Sequence, residues 1–255
     1  MTLRIGLLLT LLYAWPAQAG LLLSASRVIY PADARERSLE IVNTNTYPVL
    51  LQTWVDEGQH NGESSLGDSP FVALPAVLRL EPQARQTILL LYNGQPLPDD
   101  RESLYWLNLL EIPPSSAPQA SGEHLTVNLQ TQIKLLWRPQ GLDSPEQVGQ
   151  RQRVALAPAG NALLWHNPTA HYVTLSEVSL RTAHGLQTLP GTLLAPFTST
   201  CIGLAARADS SSHVEMRLVD DRGALRELQP SLQPFSDTPN LAPCPLPAPI
   251  SDASP

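Results

Sequence analysis

Apolar and polar residues alternate along the segment Leu125-Thr-Val127-Asn-Leu129-Gln-Thr131-Gln-Ile133-Lys-Leu135-Leu-Trp137. Successive side chains of a strand point to opposite faces, so a period of two predicts a β-strand with one apolar row and one polar row. Shorter stretches rich in Val, Ile, Leu, Thr, Tyr and Trp recur from residue 22 to residue 138, separated by Pro, Gly, Asn and Asp clusters. Predicted strands run over Leu22 to Tyr30, Ser38 to Thr44, Val49 to Asp56, Phe71 to Leu80, Gln86 to Tyr92, Ser103 to Ile112 and His124 to Trp137. Seven strands over about 115 residues are what an immunoglobulin-like β-sandwich requires, here without the inter-sheet cysteine pair of antibody domains.

The segment Arg138-Pro-Gln-Gly-Leu-Asp-Ser-Pro145 breaks this rhythm as a hinge between compact units does. Strands resume at Arg153 to Leu156, Ala162 to His166, Tyr172 to Leu180, Leu193 to Leu194, Cys201 to Ala206, Val214 to Leu218 and Leu225 to Leu228, a smaller and less regular β domain. From Pro230 to the end, eight of 26 residues are proline, which predicts an extended tail. No helical period of useful length appears, so the fold class expected is all-β. The organisation expected is residues 20–138 as an N-terminal domain, 139–149 as a hinge, 150–229 as a C-terminal domain and 230–255 as a proline-rich tail.

The first 19 residues have another character. Arg4 precedes an eleven-residue, mostly apolar run that ends before Pro16-Ala-Gln-Ala19. The run is shorter than the ~20 residues of a membrane-spanning helix, and Ala17 and Ala19 suit signal-peptidase cleavage, so residues 1–19 are expected to be a signal peptide and Gly20 the mature start. Its removal leaves fifteen basic against 23 acidic residues, a balance that argues against a nucleic-acid partner. In an exported protein the even pair Cys201 and Cys244 favours one disulfide over two free thiols.

Catalytic signals are missing from the sequence. There is no G-x-S-x-G, no Walker loop, no H-E-x-x-H and no C-x-x-C. His60, His124, His166, His171, His184 and His213 are dispersed and read as ordinary surface histidines, so no metal or other cofactor is expected. Asp99-Asp100 and Asp220-Asp221 lie in turn-like contexts that suit solvated acids. Lys134, the only lysine, stands out on the polar side of the alternating strand. It is either a snorkelling edge residue or part of an anion site.

The stretch Leu97-Pro-Asp-Asp-Arg-Glu-Ser-Leu-Tyr-Trp-Leu-Asn-Leu-Leu-Glu-Ile-Pro-Pro114 resembles the signature of the periplasmic pilus chaperones, the PapD-like family. Further blocks resemble the family in the expected order: Arg27-Val-Ile-Tyr30, Gln52-Thr-Trp-Val-Asp56, Leu78-Arg-Leu-Glu-Pro82, Ile133-Lys-Leu135, Arg138-Pro139 and Asn167-Pro-Thr-Ala-His-Tyr-Val-Thr174. Two departures affect turns: Gln83 stands where a glycine usually follows Glu-Pro, and Ala76 replaces the second proline of a Pro-Pro pair. The short connection from Pro114 to Leu125 resembles the family's short-loop branch.

The resemblance implies two immunoglobulin-like domains at an angle, with a cleft between them. It also implies a chaperone that lends an edge strand to an incomplete pilin subunit and delivers it to an outer-membrane usher. Leu125, Val127, Leu129 and Ile133 would be the donated row, and Arg27 and Lys134 the anchor for the subunit's terminal carboxylate. Glu102, Arg138 and Asp221 would form an interdomain charge cluster that orients the domains. Neither an enzymatic activity nor a small-molecule substrate is implied, whereas self-association through the exposed edge strand is allowed. The competing classes are a surface pilus component or adhesin built from the same sandwich, and an exported glycosidase using paired carboxylates.

Overall fold

The computed structural model describes residues 20–58, 69–114, 127–142, 145–157, 160–183 and 185–233. The first sandwich holds β1 (Leu21–Leu23), β2 (Arg27–Pro31), β3 (Glu36–Asn43), β4 (Val49–Asp56), β5 (Phe71–Leu74), β6 (Val77–Leu80), β7 (Arg85–Tyr92), β8 (Ser103–Ile112) and β9 (Leu129–Arg138). One sheet has the order β1-β3-β7-β5 and the other β2-β9-β8-β4-β6. Their inner faces bury Leu39, Ile41, Leu51, Ile88, Leu90, Leu107, Leu109 and Leu135. Tyr30, Phe71, Tyr92, Tyr105 and Trp137 pack at one end with ring centroids 4.3–6.0 Å apart.

Two segments expected as single strands each divide between the two sheets. Leu21–Leu23 pairs with β3, and the chain then crosses at Ser24-Ala25-Ser26 so that Arg27–Pro31 pairs with β9. Ser24 fixes the departure, its amide donating to Glu40 O at 2.9 Å and its hydroxyl accepting from Glu40 N at 3.1 Å. Phe71 to Leu80 divides at Pro75-Ala76, where proline has no N–H to continue a ladder, and Thr53 instead binds the carbonyls of both residues at 2.8 Å. In the turn after β6, Gln83 takes the left-handed conformation (φ 59°) that a glycine would adopt with less strain.

After two short 3-10 turns, Pro145–Gln147 and Gly149–Arg151, the second sandwich begins. It comprises β10 (Arg153–Leu156), β11 (Ala162–His166), β12 (Val173–Thr182), β13 (Gly185–Leu194), β14 (Ser199–Gly203), β15 (His213–Val219), β16 (Leu225–Leu228) and β17 (Leu232–Gln233). The sheets have the orders β14-β11-β10-β17 and β13-β12-β15-β16, around Val154, Leu163, Trp165, Leu175, Val178 and Leu180. β13 is far longer than the expected Leu193 to Leu194. Gly191 sits beside the bulge between Leu175 and Glu177, where an added Cβ would stand 2.5 Å from Leu175 O, so this glycine marks a close approach within a strand and not a turn. Leu232 and Gln233, within the segment expected as tail, pair with β10 in parallel, with Leu232 packed on the second core.

Candidate functional site

β9 is paired unevenly on its two sides. Along one side β8 covers it from Glu111↔Leu129 to Ser103↔Trp137, whereas on the other β2 begins only at Arg27↔Lys134. Among the described residues, Leu129–Ile133 therefore presents a free edge that ends where β2 begins. The apolar row changes its surroundings at the same place. Ile133 and Leu135 are buried in the first core, while Leu129 is 52% exposed and Val127 66% exposed. This corrects the expectation for Ile133, which is part of the first sandwich's own core and not of an available row. Leu125 lies outside the described residues, as does the connection that suggested the short-loop branch.

The polar row is fastened from behind. Gln130 and Gln132 donate to Asn108 Oδ1 at 2.9 and 2.6 Å, and Asn108 Nδ2 donates to Asp56 Oδ2 at 2.9 Å. Asp56 Oδ2 also accepts from Trp54 Nε1 at 2.9 Å. Asn108 is fully buried, so these bonds tie the edge strand to β8 and β4 through a satisfied polar network. The alternation of β9 could not show this, because a polar row reads the same whether it faces water or buried amides.

At the end of the free edge, Arg27 and Lys134 stand side by side on neighbouring strands. Lys134 Nζ lies 5.3 Å from the Trp106 ring centroid, and burial, then the Arg27 charge, push its pKa below the ordinary lysine value. Arg27 is buried and donates from Nη1 to Val219 O of the second sandwich at 3.2 Å, while its Nε has no partner among the described residues. Burial lowers the Arg27 pKa, against the opposing pull of Asp221, Asp220 and Glu102. Two partly desolvated cations with a spare donor are the chemistry that could receive an anion.

Glu102, Arg138 and Asp221 meet where the sandwiches join. Arg138 Nε donates to Glu102 Oε1 at 2.6 Å, and its Nη1 and Nη2 bind Asp221 at 2.7 and 2.9 Å. Burial opposes the Arg138 charge, but the bonds to Asp221 and the charge of Glu102 outweigh it and hold the guanidinium above its ordinary range. Glu102 Oε2 accepts from Tyr172 N at 2.7 Å, and its own amide donates to Ala170 O at 2.9 Å. His171 corrects the surface assignment of the histidines: it is buried, with Nδ1 3.0 Å from Glu102 Oε1. The loop that brings it there is organised by Asn167, whose Nδ2 donates to His171 O at 2.8 Å and Ala195 O at 2.9 Å. Gly223 completes the joint with φ 81°, where an added Cβ would stand 2.5 Å from Ser26 Oγ of the first sandwich.

The comparisons with known proteins agree with this architecture. The model described as "Pili and flagellar-assembly chaperone, PapD N-terminal domain" matches residues 20–143, and that of the PapD C-terminal domain matches residues 145–230. The chain belongs to the PapD family of pili assembly chaperones. Chaperone protein FimB/FhaD of Bordetella pertussis is 32% identical over 222 residues, covering 85% of this chain and 89% of that protein. The Pseudomonas aeruginosa CupB2 chaperone aligns with a TM-score of 0.69 at 28% identity, over 83% of this chain and all (100%) of that one. A structure described as Salmonella enterica SafA pilin in complex with the SafB chaperone aligns with a TM-score of 0.71 at 28% identity, over 86% and 99% of the two chains.

As a family member the protein is a chaperone of the two-sandwich, immunoglobulin-like kind, and the family is one of chaperones, not enzymes. Among the described residues no group of His, Cys, Asp or Glu is arranged to hold a metal ion. Cys201 lies on β14 in a disulfide, and Cys244 lies outside the described residues.

Proposed function

We propose that this protein is exported to the periplasm, binds pilus or fimbrial subunits through the free edge of β9, and hands them to an outer-membrane usher. The observation that carries the reading is the coincidence of three features at one place: an unpaired ladder, an exposed apolar row, and two cations where β2 takes the ladder over. A pilin strand pairing with Leu129–Ile133 continues the line of β2. With its C-terminus at Arg27 and Lys134, that strand runs parallel to β9. Its main chain completes the ladder, while Val127 and Leu129, with Leu125 ahead of them, fill the groove left by the pilin's missing strand.

The carboxylate anchor sets register. A slip of one residue would turn every apolar side chain of the pair to the wrong face, so a charge contact at the strand's end selects the alignment in which the groove is filled. The Glu102, Arg138, Asp221 and His171 cluster holds the second sandwich at the angle that places Arg27 against Val219. Refolding a fimbrial subunit that lacks its last strand tests the reading. With this protein present, a soluble one-to-one complex is expected, and aggregation of the pilin regardless of its presence would refute strand donation.

A further inference from the structure

Behind the beginning of β9 is a buried carboxylate with an unused oxygen. Glu111, opposite Leu129 in the ladder, is 6% exposed. Its Oε1 accepts from Asn45 Nδ2 at 2.7 Å, and its Oε2 has no hydrogen-bond partner among the described residues. Burying a carboxylate with an unsatisfied oxygen is costly unless a cation or donor reaches it. Beside it lies Gly20, itself buried, whose N–H donates to Asn45 Oδ1 at 3.0 Å and whose carbonyl accepts from Thr44 N at 3.0 Å and Thr44 Oγ1 at 2.7 Å. An added Cβ on Gly20 would stand 3.9 Å from Glu111 Oε2 and 3.8 Å from Leu129 Cδ2.

Gly20 is also the residue that signal cleavage after Ala19 would make the first of the mature chain. As an internal residue it offers one N–H, already used on Asn45, and it has a φ of 115° that suits glycine. As an N-terminus it offers three N–H donors and a positive charge, and no preceding peptide constrains φ. We propose that Asn45 and Glu111 form a buried receptor for this chain's own α-ammonium at Gly20. The proposal rests on the export reading above, because the ammonium exists only after processing. Hydrolysis of the Ala19–Gly20 peptide bond consumes one water and gives a carboxylate on the released segment and the amine on Gly20, which takes up a proton. One N–H keeps Asn45 Oδ1 and another reaches Glu111 Oε2. The clasp anchors β1 on β3 and supports Leu129 from beneath, so cleavage completes the base of the pilin-binding edge.

The sole lysine makes the test simple, since the processed chain has only two primary amines, Gly20 N and Lys134 Nζ. Periplasmic protein is first weighed by mass spectrometry to identify its start, then treated with ¹³C-formaldehyde and a mild reductant, each amine giving its own NMR signal. The Gly20 amine is expected to react at least about tenfold more slowly in the folded wild type than in folded Glu111→Gln. In a second arm, a serine inserted between Ala19 and Gly20 displaces the ammonium from the pocket. It should shift the unfolding equilibrium of the wild type about tenfold or more toward the unfolded state, and that of Glu111→Gln much less. A start other than Gly20 overturns the cleavage reading and the proposal together. A Gly20 start with a freely reactive amine, or an insertion penalty equal in the two backgrounds, overturns the receptor alone.

Discussion

Replacing Lys134 with methionine separates the anion-site reading from that of a snorkelling lysine. Met keeps the apolar stem but removes the charge that stands beside Arg27 and over Trp106. A carboxylate about 4 Å from one cation, at an effective dielectric constant of about 20, gains about 4 kcal/mol before desolvation. Truncating one partner of a desolvated charged contact costs ~2–5 kcal/mol, and about 3 kcal/mol lowers the affinity for a pilin by roughly a hundredfold. The free protein should respond differently. The folded pKa of Lys134 is below its unfolded value, so its charge opposes folding at neutral pH, and stability rises as pH increases through the window between the folded and unfolded values. Lys134→Met should therefore leave the free chaperone no less stable, while pilin capture by the wild type should weaken at a lower alkaline pH than an exposed lysine would dictate. The assay is a thermodynamic cycle that measures binding of wild type and Lys134→Met to the last strand of a pilin, ending in either a free carboxylate or an amide. Amidation that costs as much affinity in Lys134→Met as in the wild type would refute the contact.

Leu129→Asp places a charge on the exposed row; pilin capture should fall by several kcal/mol with an unchanged denaturation midpoint, because the site faces water when empty. Glu102→Ala removes the carboxylate shared by Arg138, His171 and Tyr172 N, and should cost about 3–5 kcal/mol in denaturant unfolding and broaden the interdomain angles seen by small-angle scattering. Thiol titration of the unreduced, denatured protein should find no free cysteine, as a Cys201–Cys244 bridge requires, and two free thiols would exclude that bridge.

Strands bounded by turn residues were the legible ones. Val49–Asp56, Ser103–Ile112, Arg153–Leu156, Ala162–His166 and Leu225–Leu228 have the bounds expected. Where one apolar run serves two sheets, as in Leu22 to Tyr30, alternation has no mark for the crossing. The full length of β13 was not legible, since Gly191 in its interior serves a close backbone approach that the sequence does not mark. Arg27, Glu102, Arg138 and Asp221 were named through the family resemblance, whereas Lys134 stood out in the sequence as the only lysine, on the polar side of the alternating strand. His171 was missed because a buried histidine partnered by a residue of another domain has no local signature. Asn108 was missed because its partners Gln130 and Gln132 are distant in sequence, and Glu111 because an orphan oxygen is visible only in three dimensions.

Most of the proposed work falls on one strand pair, and this couples tasks that could have been separate. β9 carries Leu129 at its exposed end, Lys134 where β2 takes over, and Arg138 at its last position. β8, its partner throughout, follows directly on Glu102 and carries Asn108 and Glu111 beneath the exposed end. Any shift of β9 along β8 would therefore misplace the apolar row, the anion site and the interdomain bond together. The side-chain amides on Asn108 oppose such a slip on the polar face, and the buried residues Ile133, Leu135 and Trp137 oppose it on the other. Ladder hydrogen bonds alone would not prevent it, because a slipped register can remake them. The rigidity of the edge then lies in side chains that never touch the pilin, and a rigid edge loses less entropy when a strand is added to it.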